Sequence, residues 1–166
     1  MKENNTNILV PSEEDVARLL SPEWIVKGEL QHTAFILNAG ESYISVNRPA
    51  IDSFEEDVLA FLNKHPYYHS GDKTNSYQCA ILNVGEVNNI SVAQGDTVMD
   101  IKVEVEARDS HTKSHAGIFT RFHNMNIKNG QTLKYGPTSE EISADTILLH
   151  VRFQLLALAK LETHFL

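Results

Sequence analysis

One cysteine, Cys79, stands among 166 residues, so the chain has no disulfide framework, and a reducing cytoplasm is the expected compartment. Basic charge is also scarce. With 14 Lys and Arg against 22 Asp and Glu, the formal charge is −8, which argues against sequence-independent binding of nucleic acid, where clustered cations displace the counterions of phosphates. Long apolar runs are missing. The longest, Ile147 to Leu161, is broken by His150, Arg152 and Gln154, and the opening MKENNTN has no apolar core of a secretory leader. Neither secretion nor a membrane partner is expected. There is no GxGxxG, GxxxxGK[ST], GxSxG, HExxH or paired CxxC, which removes the common nucleotide, hydrolase and zinc signatures without excluding an enzyme. No cofactor is expected. Internal repeats, low-complexity tracts and long linkers are absent too.

What remains is an ordinary globular composition, 42% hydrophobic and 22% charged, in a chain read as one domain over 1–166 with residues 1–7 disordered. A chain of this size buries about two-thirds of its unfolded surface and folds without staples. The most regular stretch is Thr97 to Arg108, where Met99, Ile101, Val103, Val105 and Ala107 alternate with Asp100, Lys102, Glu104, Glu106 and Arg108. That is the pattern of a strand with one dry and one wet face, hence of an antiparallel sheet. At about 3.3 Å per residue it would run roughly 40 Å, so a bend, a bulge or a change of neighbours is expected midway.

In chain order, Ser12 ahead of Glu13, Glu14 and Asp15 predicts a short helix over Glu13 to Leu20, and Ser21-Pro22 starts a second turn that Gly28 stops. Gln31 to Leu37 and Ser42 to Asn47 read as a hairpin around Asn38 to Glu41, and Ser53 with Glu56 as a capping box for a helix from Phe54 to Asn63. His65 to Asn75 reads as a loop carrying exposed tyrosines, and Tyr77 to Val84 as a central strand. Gly85 suggests a bulge, Val87 to Val92 continued pairing, and Gln94 to Asp96 a turn. His115 to Phe122 is a further strand, and Asn129-Gly130 signals a hairpin. Thr138 with Glu141 opens a helix from Ser139 to about Leu161. Alternation over 146–158 is strand-like, but Leu/Ala content and length favour helix, one apolar nearly all round. The fold class is therefore α+β: a single, mainly antiparallel, strongly twisted sheet with a packed central helix and a long C-terminal helix.

Chemistry gathers in two places. Ser45, Asn47 and Arg48 end one strand and His115 begins another, which puts binding groups where a rigid sheet can hold them. Arg48 suits bidentate clamping of a carboxylate or phosphate, and His115 suits acid–base work, with Ser45 beside them as a third catalytic candidate. The structural alternative pairs Arg48 with Glu55, Glu56 or Asp57. Tyr67 and Tyr68 offer rigid amphipathic contact area for binding. His111, His115 and His123 are candidate metal ligands by residue type, although strand spacing sets them far apart. Cys79, in an apolar strand, reads as a buried structural thiol.

Short words, Ala34-Phe35, SVNR at Ser45 to Arg48, GEV at Gly85 to Val87 and HAGI at His115 to Ile118, resemble signatures in small bacterial proteins of unassigned function. The segment from Ser42 to Phe61, a strand ending in Ser-Val and then a helix, is similar to the central strand and helix of ADP-ribosyltransferases. Neither resemblance carries a residue role across. The leading expectation is a non-catalytic interaction or accessory-subunit module of a bacterial cytoplasmic system, meeting a protein partner or a second copy through its C-terminal helix. The alternative is a small enzyme or binding protein acting on a phosphorylated or carboxylated ligand through Arg48 and His115.

Overall fold

A computed structural model describes residues 8–68, 76–109 and 112–166. In chain order its elements are β1 (Asp15–Leu19), β2 (Ile25–Val26), β3 (Glu29–Leu30), β4 (Ile44–Asn47), α1 (Phe54–Lys64), β5 (Ser76–Asn83), α2 (Val84–Asn88), β6 (Ala93–Gln94), β7 (Thr97–Val98), β8 (Ile101–Ala107), β9 (His115–Phe122), β10 (Met125–Asn126), β11 (Thr132–Tyr135), β12 (Glu140–Ser143), α3 (Ala144–Leu158) and β13 (Lys160–Phe165). Single 3-10 turns occupy Pro22–Trp24, His32–Phe35 and Pro66–Tyr68. The class is α+β, and every pairing among the described strands is antiparallel.

The main sheet runs β8, β9, β4, β1, β5, β13, with β10 pairing the end of β9 on the same edge as β4, past the end of β4. One face carries Val16, Ile44, Val46, Ala80, Leu82, Val103, Val105, Ala116 and Ile118 against Ile147, Val151 and Leu155 of α3, Val84 and Val87 of α2, and Phe35. The opposite face carries Ala17, Leu19, Tyr77 and Cys79 against Val58 and Leu62 of α1. Strands β1 and β5 are thus covered on both sides, which is why their sequences are apolar on both alternating sets. Each fully buried aliphatic side chain here contributes about 1.5–3 kcal/mol of transfer free energy.

The alternating stretch changes neighbours midway, as its length requires: Thr97–Val98 turns back on Ala93–Gln94, and Ile101–Ala107 pairs with β9. Its dry face is dry, with Met99, Ile101, Val103 and Val105 buried. Its wet face is only partly wet, because Glu106 is 3% exposed and ion-paired with Arg121, itself 9% exposed. The helix Phe54–Lys64 and the strands Ser76–Asn83 and His115–Phe122 lie where the periodicity puts them. Ser53 does not cap α1; its hydroxyl donates to Asp57 Oδ2 instead.

Other expectations are corrected. Residues 15–19 form the strand β1 rather than a helix, because pairing on both edges with β4 and β5 outweighs the weak helical signal of a short run. Gly28 (φ 78) with Lys27 (φ 53) turns the small β2–β3 hairpin and stops no helix. Gln31 to Leu37 is no hairpin arm: His32–Phe35 is a 3-10 turn that drops Ala34 and Phe35 into the core. Gly85 sits in α2, capped by the Asn83 side chain accepting from Glu86 N–H, so no strand continues to Val92. The β9 hairpin turns at His123 and Asn124, both with positive φ, rather than at Asn129-Gly130. Residues 146–158 are helical, but α3 begins at Ala144 under a Ser143 cap and ends at Leu158. The residues on either side, Glu140–Ser143 and Lys160–Phe165, are strands. Among the described residues no helix is long and apolar enough to cross a membrane.

Candidate functional site

Antiparallel pairing of β4 with β9 sets Asn47 opposite His115 and Ser45 opposite Gly117, so these side chains share one face. Ser45 Oγ lies 2.7 Å from His115 Nε2, and His115 Nδ1 lies 3.2 Å from the Arg108 carbonyl oxygen. A carbonyl only accepts, so Nδ1 carries a proton, and in the neutral ring Nε2 is the acceptor for the Ser45 hydroxyl. A hydroxyl, an imidazole that can accept its proton and a carbonyl that orients the imidazole are thus linked, which is the set of contacts that nucleophilic catalysis by a hydroxyl requires.

The start of β9 is fixed from α1. Asp57 Oδ2 accepts from the Ser114 hydroxyl (2.6 Å), the Ser114 N–H (3.1 Å) and the Ser53 hydroxyl (2.9 Å), while Asn47 Nδ2 donates to Ser114 Oγ (3.0 Å). Burial acts to raise the Asp57 carboxyl, but hydrogen bonds from the Ser114 side chain and backbone and from Ser53, with Lys113 nearby, hold it below the usual carboxylate range. Gly117 is required on the same face: a Cβ there would meet the Tyr43 ring at 2.5 Å. Tyr43 thus roofs Gly117, next to Phe119 (ring centroids 5.0 Å) and His115 (6.0 Å).

The dyad opens into a cavity of about 750 Å³. Its walls include the cations Arg18 and Lys64, the carboxylates Glu23, Glu41 and Asp57, and the rings of Trp24, Phe61, Tyr67 and Tyr68. Strand β1 meets β4 at Ala17 opposite Asn47, and just beyond that pair the Arg18 side chain reaches one carbonyl of β4 and one of the 3-10 turn His32–Phe35. Its Nη1 donates to Ser45 O and its Nε to Ala34 O, both at 2.8 Å, and its guanidinium lies 5.0 Å from the Trp24 ring centre. Burial pushes the Arg18 pKa down, against the nearby Tyr68 and Glu41. Among the described residues no carboxylate forms an ion pair with it. Across the cavity Phe61, Tyr68 and Tyr67 pack ring to ring at 4.9 and 4.6 Å, and Trp24 meets Tyr68 edge-on at 6.0 Å. Burial, then the hydrogen bond its hydroxyl makes to Tyr67, pushes the Tyr68 hydroxyl up to about 12, so it stays neutral at physiological pH.

The structure therefore brings Ser45, His115, Tyr67 and Tyr68 into one cavity. Arg48 is not among its lining residues: Nε and Nη2 bind both carboxylate oxygens of Glu14, at 3.0 and 2.7 Å, rather than Glu55, Glu56 or Asp57. His115 and His123 sit at opposite ends of β9, roughly 26 Å apart at the usual rise per residue. His123 pairs with Asp100 at 2.8 Å, and His111 lies outside the described residues. Sequence reasoning missed Arg18, because it was assigned to a helix, and missed the Asp57–Ser114 tie. No protein-family model, curated protein or solved structure matches this chain.

Proposed function

We propose that the protein is a small cytoplasmic enzyme acting on a phosphorylated or carboxylated small molecule in the Ser45–His115 cavity, with Arg18 in the anion-binding role that the sequence suggested for Arg48. The observation that carries this reading is the Ser45 Oγ to His115 Nε2 contact of 2.7 Å, with Nδ1 held by the Arg108 carbonyl, in the lining of a cavity that also holds the Arg18 guanidinium, which binds two backbone carbonyls and forms no ion pair among the described residues. His115 takes the Ser45 proton as Oγ attacks the acyl or phosphoryl centre and returns it to the departing group, and water deprotonated by the same imidazole then cleaves the ester on Ser45, restoring its hydroxyl and releasing the acid. Arg18, with Lys64 on the α1 wall, neutralises the anion. The aromatic wall holds the apolar remainder of the ligand.

The test is a thermal-shift screen of phosphorylated and carboxylated metabolites on the wild type, followed by turnover assays on the ligands that stabilise it. Lys64→Ala, at an exposed position, should weaken binding of the hit. Ser45→Ala should retain binding and lose turnover by about 100-fold or more. A hit whose binding and turnover are indifferent to both substitutions defeats the proposal.

The second reading, a module that meets a protein partner or a second copy through α3, is favoured by Leu149 and Phe153, 40% and 49% exposed on its outer side. The inner face of α3 is already occupied by its own sheet, and the Phe153 ring lies 4.6 Å from His32. Light scattering that finds a monomer unaffected by Phe153→Ser removes the self-association version.

A further inference from the structure

On the face of β5 away from the main core, Cys79 stands directly opposite Glu162 of β13, and His164 stands two residues further along β13 on the same side. Directly paired residues hold their Cβ atoms about 4.5–5.5 Å apart, so register sets the Glu162 carboxylate beside the Cys79 thiol, with the His164 imidazole on the diagonal within side-chain reach. One ligand atom from each comes within 4.8 Å of both others. His164 Nε2 and Glu162 Oε2 are already 3.1 Å apart, close to the roughly 3.3 Å edge of a tetrahedron with zinc-to-N/O bonds of about 2.0–2.1 Å. The Tyr77 ring stacks on His164 at an interplanar angle of 14°, which fixes the direction of the imidazole.

We propose that Cys79, Glu162 and His164 bind one zinc ion, with the fourth position open to water. The donor set selects the metal: a thiolate, an imidazole and a carboxylate together suit a borderline-soft divalent cation and not magnesium or calcium, which take oxygen shells. The open position follows from burial. Cys79 closes the site from the protein side, whereas Glu162 and His164 are 50% and 43% exposed on the edge strand. Zinc takes cysteine as the thiolate, so binding releases the thiol proton. The ion would pin β13 to β5, two strands across the sheet from Ser45 of β4.

The experiment uses the full chain, with cobalt(II) as the spectroscopic probe and zinc in competition with a chromophoric chelator. Cobalt should give a thiolate-to-metal charge-transfer band and the intense visible bands of tetrahedral coordination, and stoichiometric zinc should abolish both. Cys79→Ser should lose the thiolate band. Glu162→Gln and His164→Ala, both on the edge strand and not needed by the core, should each weaken zinc binding by about 10-fold or more. Absence of a thiolate band in the wild type, or a zinc affinity unchanged in the folded His164→Ala protein, overturns the proposal and leaves His164–Glu162 as a surface ion pair.

Discussion

The ion pair between Glu106 and Arg121 is a buried charge contact inside a strand face that alternation alone would place in water. Arg121 Nη1 donates to Glu106 Oε1, its Nε donates to Asn126 Oδ1 at 2.7 Å, its guanidinium lies 4.5 Å from the Phe119 ring centre, and Glu104 Oε1 stands 3.7 Å away. Removing one partner of a buried pair costs about 3–5 kcal/mol, because the other charge is left without compensation. The two ends are not equivalent. Glu106→Leu leaves Arg121 with Glu104, Asn126 and Phe119, so its loss should fall at about 3 kcal/mol or below. Arg121→Leu leaves the buried Glu106 beside Glu104, two like charges with their common cation gone, and should cost at least about 4 kcal/mol. The double replacement by leucine should lie much nearer the wild type, since an apolar pair in a covered site is often neutral or stabilising. At a urea slope of about 2–3 kcal/mol per molar, a 3 kcal/mol loss moves the midpoint by about 1–1.5 M. Urea unfolding of the three variants reads this directly. A larger loss from Glu106→Leu than from Arg121→Leu, or a double variant that sums the two single losses, refutes the reasoning.

Gly117→Ala should destabilise by about 1–3 kcal/mol in chemical denaturation, because its Cβ meets the Tyr43 ring at 2.5 Å and the ring must leave the roof of the dyad. Asp57 is held below the ordinary carboxylate range, so the stability it contributes is full above that range and is lost as pH falls through it. Asp57→Asn should therefore flatten the acid limb of the stability profile; an unchanged acid limb counts against the Asp57–Ser114 tie. Cys79, pushed up to about 12 by burial and then by Glu162, stays a thiol at neutral pH, and the stability this brings is lost as pH climbs from the ordinary thiol range toward that value. Iodoacetamide should modify it at pH 8 only after urea is added; fast labelling of the native metal-free chain contradicts the buried assignment. Val103→Asp, at a position 1% exposed, should cost several kcal/mol, enough by thermal melting to remove most of the fold.

Periodicity was informative wherever an element has one covered face. Ile101–Ala107 and Phe54–Lys64 each expose one side to water or a rim, and their apolar spacing says which side. It failed where both faces are covered or the run is short. In Asp15–Leu19 the acidic start and Ser12 mimic a helix N-terminus, yet Val16 and Ala17, on opposite faces, are both buried because α3 and α1 pack on the two sides of β1. At the C-terminus Lys160–Phe165 exposes Phe165 and half-buries Leu161, so its pattern is that of an edge strand and merges with the helix before it.

The site followed the same division. Ser45, His115, Tyr67 and Tyr68 could be singled out because strand ends and loops are where side chains are free to face a ligand. The arginines could not, and one misassigned element accounts for both. Because β1 runs antiparallel to β4, its N-terminal side meets the end of β4, which delivers Glu14 to Arg48 across 34 residues of sequence. The same pairing carries Arg18, four residues further on, back along β4 to the carbonyl of Ser45. A helix over 13–20 would place neither contact, leaving Arg48 apparently free and Arg18 apparently a surface charge. Which guanidinium is closed by a carboxylate and which lines the cavity on backbone carbonyls is thus decided by strand register and not by the residues flanking either arginine.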